Sequence, residues 1–268
     1  MTRPSMAALC ADLAAESQDL RALVAPLSER EWRCATPAPG WSIADQLVHL
    51  ADVDDAAVLA ATDPDAFVAA AQLPRRTVDE RVAEHRGRAG ADVLRWFDDS
   101  RARLLDVFGA LDPRTRVPWF GPSMSAASAL TARIMETWAH GRDVADALGV
   151  APEPSERLRH IAHLGVLARG YSLRGERGLD AGAEVRVELV SPGGTTWVWG
   201  APEAPDRVRA SALDFCLLVT RRRHRDDLDL DVVGPVASRW IEVAQAYAGP
   251  PGEGRRPAGS VGPVHRRR

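Results

Sequence analysis

Glu136 and His140 stand four residues apart in Met135-Glu136-Thr-Trp-Ala-His140, a spacing that stacks a carboxylate and an imidazole on one helix face. Both side chains can reach one divalent ion, but two ligands rarely hold a catalytic metal. The best third candidate is His49, in Gly40-Trp-Ser-Ile-Ala-Asp-Gln-Leu-Val-His49-Leu. For the three to meet, two helices far apart in the chain must face each other, as they do in a helical bundle with a site in its interior. A His/Glu/His set leaves coordination positions open, which chemistry requires and a closed structural site lacks. His49 lies among Leu47, Val48 and Leu50, and the pair follows Ile134 and Met135. Ionisable groups in such apolar settings need partners. The spacing alone fits an exposed polar pair as well.

Apolar periodicity supplies the helices that such a site needs. It predicts helices over residues 5–26, from Ser42 to about Ala61, from Thr77 to about Phe108, and from Ser125 to Leu148. Ser42 followed by Asp45 has the form of a capping box, Asp63-Pro64 opens a shorter helical piece, and Gly149 ends the last helix. Four such helices predict an antiparallel four-helix bundle over residues 1–150. Pro152 and Pro154 mark a boundary. Beyond it, a helix from Ser155 to about Leu173 precedes Glu184-Val-Arg-Val-Glu-Leu-Val190, a period-two strand. Gly193-Gly194 turns the chain into a second strand, Thr195–Trp199, and Arg207–Arg209 is a third. Helices follow over Leu213–Arg222 and Val236–Tyr247, so residues 151–249 form a smaller α+β domain. Residues 250–268, rich in Pro, Gly and Arg, read as a disordered tail. The fold class is therefore α+β.

Composition narrows function more than fold. The formal net charge of −3 gives no field for nucleic acid or an anionic membrane. No apolar run is long enough for a membrane span, and the N-terminus has no signal-peptide pattern. Cys10, Cys34 and Cys216 are scattered without CxxC spacing, which suggests reduced thiols in a cytoplasmic protein, monomeric or homodimeric. P-loop, dinucleotide-binding and G-x-S-x-G motifs are missing. All 34 basic residues are Arg, the mark of a GC-rich genome.

The Gly40–Leu50 segment and Met135-Glu136-Thr-Trp-Ala-His140-Gly-Arg-Asp143-Val-Ala resemble the mycothiol-dependent maleylpyruvate isomerase family, whose bundle is DinB/YfiT-like. Ala212–Arg221 resembles that family's sterol-carrier-like second domain. Pro122–Ser128 with Ala246–Gly252 is similar to an actinobacterial subgroup of the family. The resemblance implies metal ligation by His49, Glu136 and His140, with zinc the usual ion. It also implies mycothiol as thiol cosubstrate, activated by the metal for attack on a small electrophile. Isomerase relatives add and then eliminate the thiol, while transferase relatives leave it on the product. An arginine after the apolar helix of the second domain, Arg222 by choice over Arg221 and Arg223, would hold a substrate carboxylate. A solvated helix end is the plainer reading of that run.

Asp143 and Asp52 each follow a candidate ligand by three residues and are possible orienting carboxylates, or simply polar helix residues. His160 and His163 are a poor rival pair, and His85 reads as exposed. Trp119, Phe120 and Met124 are candidates for a pocket wall, whereas Trp41 and Trp138 read as core packing. Two other functions fit the residues. One is a hydrolase or lyase using metal-bound water; the other is a non-catalytic protein whose second domain binds an apolar ligand.

Overall fold

Short polar side chains start most of the helices. Ser5, Ser28, Ser42, Asp63, Thr77 and Ser125 each accept a hydrogen bond from a backbone N–H in the first turn that follows. The helices they open are α1 (Met6–Val24), α2 (Glu29–Trp32), α3 (Ile43–Thr62), α4 (Pro64–Gln72), α5 (Val78–Ala83) and α7 (Ala126–Leu148). Between α5 and α7 lies α6 (Gly90–Gly109), followed by a two-stranded ribbon of β1 (Arg116–Val117) and β2 (Met124–Ser125). The Ser42–Asp45 capping box forms reciprocally. Gly149 closes α7 in the left-handed conformation (φ 67°) that favours glycine. This computed structural model describes residues 4–73, 76–174, 180, 182–247, 249, 252 and 254–259, and the chain divides into two compact units, 1–152 and 153–268.

In the first unit α1 packs on α6 and α7, and α3 packs on the same two helices. One apolar cluster joins the start of α1 (Met6, Leu9, Leu13) and of α7 (Ala126, Leu130) to the end of α3 (Ala57, Ala60) and of α6 (Leu104, Phe108). A second joins the end of α1 (Leu20, Val24) and of α7 (Val144) to the start of α3 (Ile43, Leu47) and of α6 (Val93, Phe97). Hence α1 and α7 run one way, and α3 and α6 the other. Because α3 and α6 are parallel neighbours, the chain must cross the length of the bundle between them, and α4 and α5 occupy that crossover.

A buried polar layer separates the two apolar clusters, and every long helix contributes to it. Asp54 of α3 is fully buried and accepts from Arg101 Nε of α6 (2.7 Å) and Arg133 Nε of α7 (2.9 Å). Arg101 also donates to Ser17 Oγ of α1 and to Thr137 Oγ1 of α7 (3.1 Å), and Arg133 to the Leu50 carbonyl (3.3 Å).

The single helix expected from Thr77 to Phe108 is instead α5 and α6, broken over residues 84–89. Between Val82 and Val93 the only apolar side chains are alanines, and Gly87 adopts φ 105°. Gly90, the first residue of α6, lies flat against the Trp32 indole, where an added Cβ would come within 2.3 Å of the ring. Gly90→Ala should therefore lower stability by about 1–3 kcal/mol through overpacking, read as a shift in the urea midpoint.

The second unit contains α8 (Leu158–Leu167), α9 (Arg169–Ser172), β3 (Val185–Val190), β4 (Thr196–Trp199), β5 (Asp206–Ser211), α10 (Ala212–Val219), β6 (Leu230–Val233) and α11 (Pro235–Val243). The expected helix over 155–173 is thus two shorter ones, and those expected to reach Arg222 and Tyr247 stop at Val219 and Val243. Strand order is β4-β3-β5-β6: the β3–β4 hairpin is antiparallel as expected, β5 lies parallel to β3, and the unexpected β6 closes the sheet antiparallel to β5. Val185, Val187 and Leu189 are buried on one face. The other face carries Arg186, Glu188, Arg209 and Asp231 as an ion ladder. The Arg186 and Arg209 guanidiniums hold the Glu188 carboxyl down at about 2, Arg209 contributing most. The chain is α+β, as expected. Most of the tail expected to be disordered lies outside the described residues; in the described part, Ala258 N donates to both Asp227 carboxylate oxygens at 2.9 Å.

Candidate metal centre

His49 on α3 faces Glu136 and His140 on α7, and one possible ligand atom from each lies within 4.8 Å of the others. Glu136 Oε2 is 3.2 Å from His140 Nε2 and 3.7 Å from His49 Nε2. Tetrahedral ligand atoms with bonds of about 2.0–2.2 Å to zinc stand about 3.3–3.6 Å apart, so these two spacings bracket what such an ion needs, and the ligand atoms of the two histidines lie within 4.8 Å of each other. Two imidazole nitrogens and a carboxylate oxygen are a donor set suited to zinc and other borderline divalent ions. Burial by itself pushes the Glu136 carboxyl up, but the hydrogen-bonding and charge interactions with His140 and His49 outweigh it and hold the group well below the ordinary carboxylate range. Glu136 is thus an anion in place for a cation.

The surroundings fix His140 more firmly than His49. His140 Nδ1 meets the side-chain oxygen of fully buried Gln46 at 2.5 Å, and Gln46 Nε2 donates to Thr36 Oγ1 at 2.7 Å. An amide oxygen can only accept, so Nδ1 donates to Gln46, and Nε2 faces Glu136 Oε2, donating to it while protonated and offering its lone pair once an ion replaces that proton. His49 Nδ1 is buried without a hydrogen-bond partner. Its ring is held by packing, edge-on to Trp41 (5.4 Å between centroids) and tilted against His140 (4.7 Å). Trp41 also stacks on His140 with an interplanar angle of 16°. Its indole Nε1 donates to Asp79 of α5 at 2.7 Å, so the expected core tryptophan is a wall of the site instead.

Asp52, a candidate to orient His49, forms an ion pair with Arg81 (3.3 Å). Asp143 is buried on α7, but the partner at His140 Nδ1 is Gln46. Reading polar residues one turn from a ligand on the same helix missed Gln46, which reaches His140 from a different helix. Trp138 is core packing, as expected. His85 is half-buried against Trp96 rather than exposed. His163 Nδ1 accepts from Trp199 Nε1 (3.3 Å), and burial, His160 and Arg159 lower its pKa. Trp119 and Phe120 form an aromatic group with Phe67, and Arg81 lies over the Phe120 ring at 5.7 Å.

Arg222 belongs to the second unit, where its Nη1 donates to the Thr220 carbonyl at 2.8 Å. A cavity of about 260 Å³ in the same unit has a mixed lining, with Arg221, Arg223 and Arg225 beside Asp226, Glu242 and Ile241. No helix among the described residues is long and apolar enough to cross a membrane.

Residues 13–145 match the family model of the mycothiol maleylpyruvate isomerase N-terminal domain. An uncharacterized protein of Mycobacterium tuberculosis is 49% identical over 249 residues, which cover 91% of this chain and 97% of the relative. The crystal structure of a mycothiol-dependent maleylpyruvate isomerase is similar with a TM-score of 0.61 at 15% identity, over 86% of this chain and 96% of that one. A histidine-to-alanine mutant of that enzyme gives 0.60 at 16% identity, over the same shares. At such identity the likeness is one of fold. With the family model spanning the helices that carry His49, Glu136 and His140, the chain belongs to the mycothiol maleylpyruvate isomerase family.

Proposed function

We propose that the protein is a divalent-metal-dependent enzyme that activates mycothiol, or a similar low-molecular-weight thiol, for addition to a small electrophile, as an isomerase or an S-transferase. The observation that carries this reading is the convergence of His49, Glu136 and His140 in a chain of this family. His49, Glu136 and His140 would hold the ion, zinc by donor chemistry. A bound divalent ion supplies Lewis acidity that lowers the pKa of a thiol and favours its thiolate at neutral pH. Trp41 walls the site and limits the water that reaches it. Gln46 keeps the His140 lone pair aimed inward, and Glu136 stays ionised. Arg222, carried over from the family resemblance, is assigned to hold a carboxylate of the electrophile. The setting is cytoplasmic.

Calorimetric titration of the metal-loaded and metal-stripped protein with mycothiol tests the proposal. Binding that requires the metal supports thiol activation. A metal-loaded protein with no thiol affinity overturns it in favour of a hydrolase or lyase using metal-bound water. The Gln46 contact gives a separate expectation. Gln46→Ala should weaken divalent-ion binding about 10–100-fold, whereas Gln46→Glu, which still accepts from Nδ1, should keep most of it. Competition with a chromogenic chelator measures both.

A further inference from the structure

Asp45, His49 and Asp52 are spaced i, i+4, i+7 on α3 and so form one stripe along the helix. The α5 segment straddles that stripe. Arg86 pairs with Asp45 at 3.3 Å on one side of His49, and Arg81 pairs with Asp52 at 3.3 Å on the other. Asp79, two residues before Arg81, holds the tryptophan that stacks on His140. Asp52, the partner of Arg81, therefore lies about one helical turn, roughly 5–6 Å between Cβ atoms, along the stripe from His49.

The state of Arg81 is unusual for a structural ion pair. Its Nε is buried yet makes no hydrogen bond, because its approach to Asp52 has ion-pair distance without donor geometry. The guanidinium rests over the Phe120 ring, and the side chain is 28% exposed. A planar cation with unused donors, backed by an aromatic ring and open to solvent, is a receptor for a carboxylate or similar oxyanion. We propose that Arg81 binds the anionic group of the ligand whose reactive end meets the metal site. Asp52 neutralises and restrains that arginine until the ligand arrives. The anion belongs either to the electrophile or to the thiol. The inference rests on the proposed metal function and is independent of Arg222.

The test begins with the metal content of the wild type. The metal-loaded wild type and Arg81→Gln are then titrated with two probe pairs: succinate against succinamide, and N-acetylcysteine against its amide. Carboxylates also ligate divalent metals, so the decisive quantity is the change between variants. In at least one pair the wild type should favour the carboxylate about tenfold or more. Arg81→Gln should erase that margin while metal content and amide affinity stay within about twofold of the wild type. Loss confined to the succinate pair assigns the anion to the electrophile, and loss confined to the other pair assigns it to the thiol. No margin in the wild type, or an unchanged margin in Arg81→Gln, overturns the inference. Should Arg81→Gln fail to load metal, Asp52→Asn decides: the freed arginine should bind the preferred carboxylate more tightly, and unchanged affinity overturns the proposal. Metal-free wild type would remove the proposed function along with this inference, whereas a loaded protein indifferent to Arg81 removes the inference alone.

Discussion

The purified wild type is expected to carry close to one divalent ion per chain, and His49→Ala almost none. Glu136 and His140 come from a single turn of α7, so His49 is the ligand that makes the site a bridge between helices. Loss of an orienting partner already costs about 10–100-fold in metal affinity, so loss of a direct ligand should exceed about a hundredfold. The bound ion should also raise the stability of the wild type by about 2.7 kcal/mol when its free concentration is a hundred times Kd, an increment absent in the variant. Elemental analysis and thermal melts with and without added zinc read both effects, and equal metal in the two proteins would refute the assignment. The Glu136 carboxyl will not set the acid limit of ion binding. Its folded-state pKa is depressed, so its stabilising contribution is complete above the ordinary carboxylate value of about 4.3 and is lost only as pH falls through the lower folded value.

Asp54→Ala should be the most destabilising single change in the first unit, at about 3–5 kcal/mol. The carboxylate is fully buried and accepts from two arginines that are themselves about as buried, with side chains 4% and 5% exposed. Removing it leaves two like charges in the bundle interior, with the buried Glu16 carboxylate still acting on Arg101. Asp54→Asn, which keeps an acceptor but not the charge, should cost less. Replacing the triad together by Asp54→Ala, Arg101→Met and Arg133→Leu should recover much of the loss, since buried ion networks seldom outperform apolar packing. Urea denaturation followed by far-ultraviolet circular dichroism measures the series. A cost under about 1 kcal/mol for Asp54→Ala would mean that water reaches the network.

The polar layer also accounts for what a linear reading could and could not find. Helix starts at Ser42 and Ser125 and the stop at Gly149 depend on side chains within three residues of the backbone they cap, so they are legible in the chain. The helical phase that puts Glu136 beside His140 is equally local, and the apolar neighbours of His49 identified its helix as a buried one. The alternation in Val185–Val190 and the Gly193-Gly194 turn likewise disclosed the hairpin.

Other features came from partners far away in sequence. Gln46 reaches His140 across 94 residues, and Asp54 reaches Arg101 and Arg133 across 47 and 79. Asp143 and Asp52 lay at the right helical offset for orienting carboxylates. Gln46 stands at the nitrogen in question, and Arg81 claims Asp52. The break between α5 and α6 depends on Gly87 and on the Trp32 ring against Gly90, a contact from a helix much earlier in the chain. By itself, then, the sequence determined the long helices α1, α3 and α7, their phases and the candidate ligands on them, because propensity, capping and periodicity act over a turn or two. Tertiary structure decided which helices run parallel, what holds His140 in register and where Arg81 lies, because those depend on which surfaces meet once the apolar faces are buried.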